Sequence, residues 1–116
     1  MKKNNTRILV QRGKKNYSLK IEEIAMFMSI KKMVYAIDRT NEKYACRGNL
    51  VRFESMLDKR FFRANRQFII NIEHLEEFAT FEKVKIQLKM RLPGENDAII
   101  VSQETAQRFR KWITSL

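Results

Sequence analysis

Three clusters of basic and amide side chains interrupt the apolar pattern of this sequence. They are Lys31-Lys32, Arg63-Ala64-Asn65-Arg66-Gln67, and the stretch from Gln103 to Lys111. An arginine guanidinium binds O6 and N7 of guanine through two parallel hydrogen bonds, and an Asn or Gln amide binds N6 and N7 of adenine. Lysines, and hydroxyl groups such as those of Ser29 and Thr105, are suited to phosphate contacts. The chemistry that these residues offer is recognition of nucleic acid.

The overall charge favours the same interpretation. The 116 residues include 24 Lys and Arg against 13 Asp and Glu, which gives a net charge of +11 and a pI near 10.1. Small domains usually carry a net charge of about 2–8 in magnitude, and a domain pI above about 9 is typical of proteins that bind polyanions. Any single basic cluster is more often a solvated loop or helix face. The combination of the clusters with this charge favours nucleic-acid binding.

Groups for catalysis or metal binding are few. His74 is the only histidine and Cys46 the only cysteine, so the chain has no second His or Cys to complete a zinc ligand set. We expect His74 on the surface or in a helical turn, and Cys46 as a small buried side chain. The three glycines are isolated and form no phosphate-binding loop. The sequence therefore predicts a protein that is not an enzyme and uses no metal, cofactor or small-molecule substrate.

The cellular setting is indicated by two further features. A single cysteine allows no intrachain disulfide, which is typical of a reducing compartment. No apolar run approaches the roughly 18 residues of a membrane span, and no signal peptide begins the chain. These observations predict a cytoplasmic protein.

The elements that position the clusters are predicted to be mainly short strands, with two helices. We expect residues 1–5 to be a disordered head and residues 6–116 to form a single domain. Alternating or β-branched runs predict strands at Thr6–Gln11, Tyr17–Leu19, Ala25–Ser29, Val34–Arg39, Lys43–Cys46, Glu77–Thr80, Val84–Met90 and Ala98–Val101. Helices are predicted after the caps Asn49 and Ser102, with apolar faces Leu50-Phe53-Leu57 and Ala106-Phe109-Ile113.

Aromatic and β-branched residues flank the basic centre of the second cluster: Phe61, Phe62, Phe68, Ile69 and Ile70. Exposed aromatic rings would provide stacking platforms for single-stranded bases, but the pairing of these residues in apolar runs favours a place in the core. A non-specific RNA or single-stranded nucleic-acid binder depends on the first arrangement and is the alternative function. A third hypothesis is a protein-interaction module whose basic face binds an acidic partner.

The segment from Arg60 to Asn71 resembles the central signature of the LytTR-type DNA-binding domain. In that family a Phe-x-Arg-x-His/Asn-Arg/Asn-Ser segment is followed by an aromatic residue, two β-branched residues and Asn. The flanking segments Ile21-Glu22-Glu23-Ile24, Lys43 to Leu50, and Ile99-Ile100-Val101-Ser102 are similar in order and spacing, so the resemblance covers residues 7–113. It implies a mainly β fold, an elongated stack of small antiparallel sheets with about ten short strands and one or two short helices.

The resemblance also implies that double-stranded DNA is bound by loops that enter successive major grooves, at three places. The turn after the third strand matches Ser29, Lys31, Lys32 and Met33, the central loop matches Asn65, Arg66 and Gln67, and the start of the final helix matches Gln103, Glu104 and Thr105.

Three positions depart from the family pattern. Gln67 replaces the usual small hydroxyl residue, Gln103-Glu104 stands where Arg is common, and Met33 offers no hydrogen bond where some relatives carry a polar base-contacting residue. A carboxylate at Glu104 would repel phosphate. DNA binding is therefore expected to depend most on Arg66, with Lys31 and Lys32 contacting phosphates.

Members of this family usually follow a phosphoacceptor receiver domain and regulate transcription by binding paired direct repeats as dimers. The resemblance therefore implies direct-repeat DNA sites and a homodimer on DNA. It also implies control by the receiver domain of a two-component response regulator, or by a membrane protein if the domain is free-standing.

Overall fold

The computed structural model describes residues 6–116, which form ten strands, two α-helices and two 3-10 turns. The strands are β1 (Arg7–Arg12), β2 (Lys15–Lys20), β3 (Ile24–Ile30), β4 (Met33–Asp38), β5 (Lys43–Cys46), β6 (Phe61–Arg63), β7 (Phe68–Asn71), β8 (Leu75–Phe81), β9 (Lys85–Met90) and β10 (Ile99–Val101). The helices are α1 (Leu50–Met56) and α2 (Gln103–Thr114), and the 3-10 turns are Ile21–Glu23 and Ile72–His74. The predicted mainly β class is confirmed, whereas the predicted disordered head, residues 1–5, lies outside the described residues.

The strands form two antiparallel sheets. The larger has the order β2-β1-β5-β4-β3-β7-β6 and the smaller the order β10-β9-β8. One face of the large sheet packs against α1, and the opposite face packs against the small sheet and α2. Successive side chains of a strand point to opposite faces, so Phe27 of β3 lies in the first core and its neighbour Met26 in the second. Strand β3 therefore holds the two halves of the molecule together.

Helix α1 begins as predicted. The Asn49 side-chain oxygen accepts a hydrogen bond from the backbone N–H of Arg52 at 2.9 Å, which satisfies one of the helix's terminal N–H groups. Leu50, Phe53 and Leu57 are buried, and the ring of Phe53 stacks on that of Phe27 with centroids 4.9 Å apart.

Helix α2 begins differently from the prediction. Ser102 occupies the N-cap position, but its hydroxyl donates to the hydroxyl of Thr105 at 3.3 Å instead of accepting from a backbone N–H. Ala106 and Phe109 are buried and Ile113 is half-buried, so the predicted apolar face is confirmed.

One predicted strand boundary is wrong at the connection between β8 and β9. The alternation of Val84 with Ile86 and Leu88 predicts a strand that begins at Val84, but Val84 is 45% exposed and the strand begins at Lys85. Glu82 and Lys83 adopt left-handed backbone conformations with φ of 48° and 68°, and the Val84 N–H donates to the Glu82 carbonyl at 2.7 Å. These three residues close the hairpin between Phe81 and Lys85.

The aromatic and β-branched residues around the second basic cluster belong to the core, as the apolar pairing predicted. Phe61, Ile69 and Ile70 are buried. Phe62 stacks on Trp112 of α2 with ring centroids 4.9 Å apart, and its edge contact with Phe109 has a centroid distance of 5.6 Å. These contacts pack the strands on either side of residues 64–67 against α1 and α2.

Candidate nucleic-acid interface

The turn between β3 and β4 carries the first basic cluster. Ile30 pairs with Met33, so Lys31 and Lys32 form a two-residue hairpin turn. Their φ values of 48° and 70° are left-handed, which is the geometry that such turns require and that Asn-Gly adopts at least cost. Both lysines are exposed, and the ammonium groups extend into solvent from the end of the sheet.

The central loop, residues 64–67, is organised by the side chain of Asn65. Its oxygen accepts hydrogen bonds from the backbone N–H groups of Gln67 at 2.8 Å and Phe68 at 3.0 Å. Its amide nitrogen donates to the carbonyl oxygen of Ile100 at 2.9 Å. Asn65 therefore folds the loop on itself and joins it to the strand that precedes α2.

The side chain of Arg63 also stabilises this loop, by hydrogen bonds to its backbone carbonyls. Its Nε donates to the carbonyl of Asn65 at 2.7 Å and its Nη2 to the carbonyl of Arg66 at 3.1 Å. Its Nη1 lies 3.3 Å from a carboxylate oxygen of Glu54 on α1. Only 20% of the Arg63 side chain is exposed. This guanidinium thus has a structural partner at each nitrogen and holds the loop backbone in one conformation.

The outer residues of the loop are Arg66 and Gln67. Within the part of the chain that the structure describes, their hydrogen bonds are made by backbone groups, and both side chains are exposed. The loop therefore presents a guanidinium and an amide to solvent from a backbone that Asn65 and Arg63 hold in place.

The central loop and the β3–β4 turn are joined directly. The N–H of Ser29 donates to the carbonyl of Gln67 at 2.8 Å, beyond the last ladder pair, Met28 with Phe68. Since β7 and β3 are antiparallel neighbours, the loop that precedes β7 and the turn that follows β3 lie at the same end of the large sheet.

The start of α2 completes the surface. An open groove of about 950 Å³ separates the central loop from the first turns of the helix. Its lining residues are Arg63, Asn65, Arg66, Gln67, Lys85, Ser102, Gln103, Glu104, Thr105 and Arg108. Four of them are cations and only Glu104 is an anion. The N-terminus of a helix carries a partial positive charge, which adds to the attraction of this groove for anions.

The structure brings most of the sequence-predicted site residues together. Asn65, Arg66, Gln67, Gln103, Glu104 and Thr105 line this groove. Ser29 is hydrogen-bonded to the loop. Lys31 and Lys32 form the adjoining turn and Met33 begins β4, and these three residues lie outside the groove.

Four groove residues were not predicted as site residues. Arg63 and Arg108 lie within the basic clusters, and the i, i+4 spacing of Arg108 from Glu104 places both on one side of α2. Ser102 was predicted only as a cap. Lys85 comes from β9, and no signal in the sequence indicates that this strand lies beside the loop.

The remaining reactive side chains have structural partners. His74 lies in a 3-10 turn, where its Nε2 is 2.8 Å from the carbonyl oxygen of Glu22. Burial raises the pKa of the Cys46 thiol to about 11, so it stays protonated at neutral pH.

Residues 6–116 contain no cluster of His, Cys, Asp or Glu arranged to hold a metal ion. No helix in that range is long and apolar enough to cross a membrane.

Comparison with known proteins identifies the fold. A solved structure, the LytTr DNA-binding domain of a Bacillus cereus protein described as a methyl-accepting/DNA response regulator, superposes with a TM-score of 0.84 at 21% sequence identity. The alignment covers 95% of this chain and 98% of that one. No curated protein sequence matches this chain.

The family model of the LytTr DNA-binding domain matches residues 14–114. That range contains the β3–β4 turn, the central loop and the start of α2. The chain therefore belongs to the LytTR family of DNA-binding domains.

Proposed function

We propose that this domain binds double-stranded DNA sequence-specifically, through loops that enter the major groove, and acts in transcription regulation. The observation that carries the proposal is the exposed guanidinium of Arg66 on a loop whose backbone is held by Asn65 and Arg63. Because the loop backbone is already held, binding to a base edge has to order only the Arg66 side chain. Membership of a DNA-binding family supports the same function.

The spacing of the two hairpins suits one groove of DNA. Neighbouring strands lie about 4.8 Å apart, so the midlines of the β4–β3 and β7–β6 pairs lie roughly 10 Å apart. The major groove is about 12 Å wide. With Arg66 in the groove, Lys31 and Lys32 would therefore reach the phosphates at its edge.

The other predicted residues take different roles in this proposal. In the proposed complex Ser29 and Thr105 bind phosphates, Gln67 and Gln103 contact base edges, and Met33 makes an apolar contact. Asn65 positions the loop instead of contacting bases, because its amide is already used within the protein. Glu104 opposes DNA binding by its charge.

The alternative of stacking on single-stranded bases is not favoured by the packing of the aromatic residues. Phe61 is buried, and Phe62 stacks on Trp112. Neither ring is available as a platform of the kind that single-strand binders use.

The proposal is tested by selecting duplexes from a random-sequence pool and measuring their affinity at several salt concentrations. The selected duplex should bind at least tenfold more tightly than random duplex or RNA at physiological salt. Equal affinity for duplex and RNA would contradict the proposal.

Family membership also supports a dimer bound to direct repeats, under the control of a receiver domain or a membrane protein. Duplexes with one and with two copies of the selected site should bind one and two protein molecules, respectively. Binding to the double site should be cooperative if the two domains contact each other.

A further inference from the structure

Strand β1 has one edge that is only partly paired. On one side it pairs with β2 from Arg7 to Arg12, and on the other side its ladder with β5 consists of Gln11 and Ala45. Arg12 of β1 and Lys15 of β2 flank a two-residue turn, so their backbone groups form a hydrogen-bonded pair. Because such pairs alternate along an antiparallel ladder, the backbone groups of Val10 and Ile8 also bond to β2. The backbone groups of Gln11, Leu9 and Arg7 therefore point away from β2.

Of these three residues, Gln11 meets β5, whereas Leu9 and Arg7 extend beyond the end of that strand. No backbone hydrogen bond from residues 6–116 reaches either of them on this side. The edge consequently offers two N–H groups and two carbonyls in the arrangement that an added strand would use.

This edge is one wall of a groove of about 850 Å³, and α1 is the opposite wall. The lining includes two exposed apolar side chains, Leu9, which is 72% exposed, and Met33, which is 47% exposed. The lining residues also include Arg7, Arg47 and Arg52, and no Asp or Glu is among them. The Arg7 guanidinium donates to the carbonyl and the hydroxyl of Ser18 on β2, so Arg47 and Arg52 are the arginines left for a ligand. The groove therefore combines a small exposed apolar surface with positive charge.

We propose that this groove binds an extended, acidic segment of a partner protein, which adds to β1 as a further strand. Main-chain hydrogen bonds to Leu9 and Arg7 would align the segment, as in other cases of strand addition. Its side chains would alternate between the α1 side and the Leu9 side. Its carboxylates would pair with Arg47 and Arg52, and its apolar side chains would contact Leu9. Met33 lines this groove and is also used in the proposed DNA contact, whereas Leu9, Arg7, Arg47 and Arg52 have no role in that contact.

Two other occupants fit less well. A second copy of this chain would bring another net charge of +11 to a basic groove. DNA phosphates would pair with the arginines, but they would leave the N–H groups and carbonyls of the β1 edge without strand partners and the side chain of Leu9 exposed.

The test begins with panning a displayed library of random decapeptides against the whole chain. Enriched peptides should alternate acidic and apolar residues and contain no central proline, because proline lacks the N–H that an added strand needs. A synthetic copy of an enriched peptide is then used in solution, with a copy carrying a central proline as its control. The proline copy should bind at least tenfold more weakly.

Hydrogen exchange of the unaltered protein provides the decisive measurement. Saturation with the peptide should slow exchange of the Arg7 and Leu9 amides at least tenfold. The Ile8 and Val10 amides, which already bond to β2, should change little. Peptide binding without protection of Leu9 and Arg7 would overturn the proposal.

A charge-reversed variant tests the arginines. Arg47→Glu/Arg52→Glu should weaken peptide binding at least tenfold, whereas Arg110→Glu/Lys111→Glu on α2, with the same change in net charge, should alter it less than twofold. Protection of the Leu9 amide by duplex DNA alone would assign the groove to DNA. Concentration-dependent dimerisation that protects the same amide would assign it to a second copy, and either outcome would refute the acidic peptide.

Discussion

The side-chain amide nitrogen of Asn65 donates to the carbonyl oxygen of Ile100 at 2.9 Å. This bond joins the central loop to β10, which leads into α2 through Ser102. The two segments that line the groove are thus tied to each other across 35 residues of sequence.

Replacing Asn65 tests whether its role is to position the loop. Asn65→Ala removes three hydrogen bonds and leaves the Ile100 carbonyl without its partner, so we expect the free energy of unfolding to fall by about 1–3 kcal/mol. Urea denaturation measures this change. Unchanged stability, together with a loss of specificity at one base pair, would instead assign Asn65 to direct base contact. Gln11→Ala, which removes an exposed amide bonded to the Gly13 carbonyl, is the control.

Arg66 should contribute to DNA binding and not to folding. Arg66→Ala should lower the affinity for the selected duplex by roughly 1–3 kcal/mol and relax specificity at one base pair, because a bidentate guanine contact is lost. Its unfolding free energy should stay within about 0.5 kcal/mol of the wild type. Arg110→Ala, which removes the same charge from the exposed side of α2, serves as the control. An equal loss of duplex affinity in Arg66→Ala and Arg110→Ala would mean that Arg66 contributes only non-specific electrostatic attraction.

The β3–β4 turn should show a trade between stability and binding. The double substitution Lys31→Asn/Lys32→Gly suits the left-handed turn and should stabilise the fold by about 1–2 kcal/mol. It should also reduce the slope of log K against log salt by about 2, since each phosphate contact contributes roughly 0.9. Salt titration of duplex binding measures the slope, and Arg110→Ala/Lys111→Ala controls for net charge. An unchanged slope would exclude the turn from the phosphate contacts.

Glu104 should weaken DNA binding. Glu104→Gln keeps the shape of the side chain but removes its charge, so affinity for all duplexes should rise by about 0.5–1 kcal/mol. Glu95→Gln, in the β9–β10 connection, is the matched control. A loss of affinity confined to sites with one particular cytosine would show that the carboxylate accepts a hydrogen bond from that base.

Cys46 should make stability depend on pH in the alkaline range. Its pKa rises from an ordinary value of 9.0 to about 11 in the folded protein because the thiol is buried. The folded state therefore binds the proton more tightly, and this contribution to stability is complete below pH 9 and is lost as the pH rises towards 11. Cys46→Ala should show a smaller decline over this range in parallel denaturation curves. Identical declines would mean that the thiol is not the cause.

Much of the fold could be predicted because its local patterns are strong. Leu50, Phe53 and Leu57 repeat at helical spacing after a capping Asn49, and the strands alternate or carry β-branched residues. The failure at Val84 has a local cause as well, because alternation continues into the hairpin turn that Glu82 and Lys83 close in left-handed conformations.

The candidate site was less predictable because it depends on contacts between distant segments. The side chain of Asn65 has the right chemistry for adenine, and only the three-dimensional structure shows that this chemistry is used on Ile100, Gln67 and Phe68. Arg63 is a similar case, since its partner Glu54 lies on α1. Lys85 enters the groove because β9 packs beside the loop, and no local pattern encodes that packing.

The hydrogen bond between Ser29 and Gln67 has a consequence for how new DNA targets can arise in this domain. It continues the β3–β7 ladder, in which a shift by one residue would turn every side chain of a strand to the opposite face. Insertions or deletions in β3 or β7 would therefore exchange the two cores, and they should be selected against. Substitutions at the exposed positions Arg66 and Gln67 leave the ladder intact. Recognition in this domain should consequently diversify by exchange of side chains while the lengths of β3 and β7 stay constant.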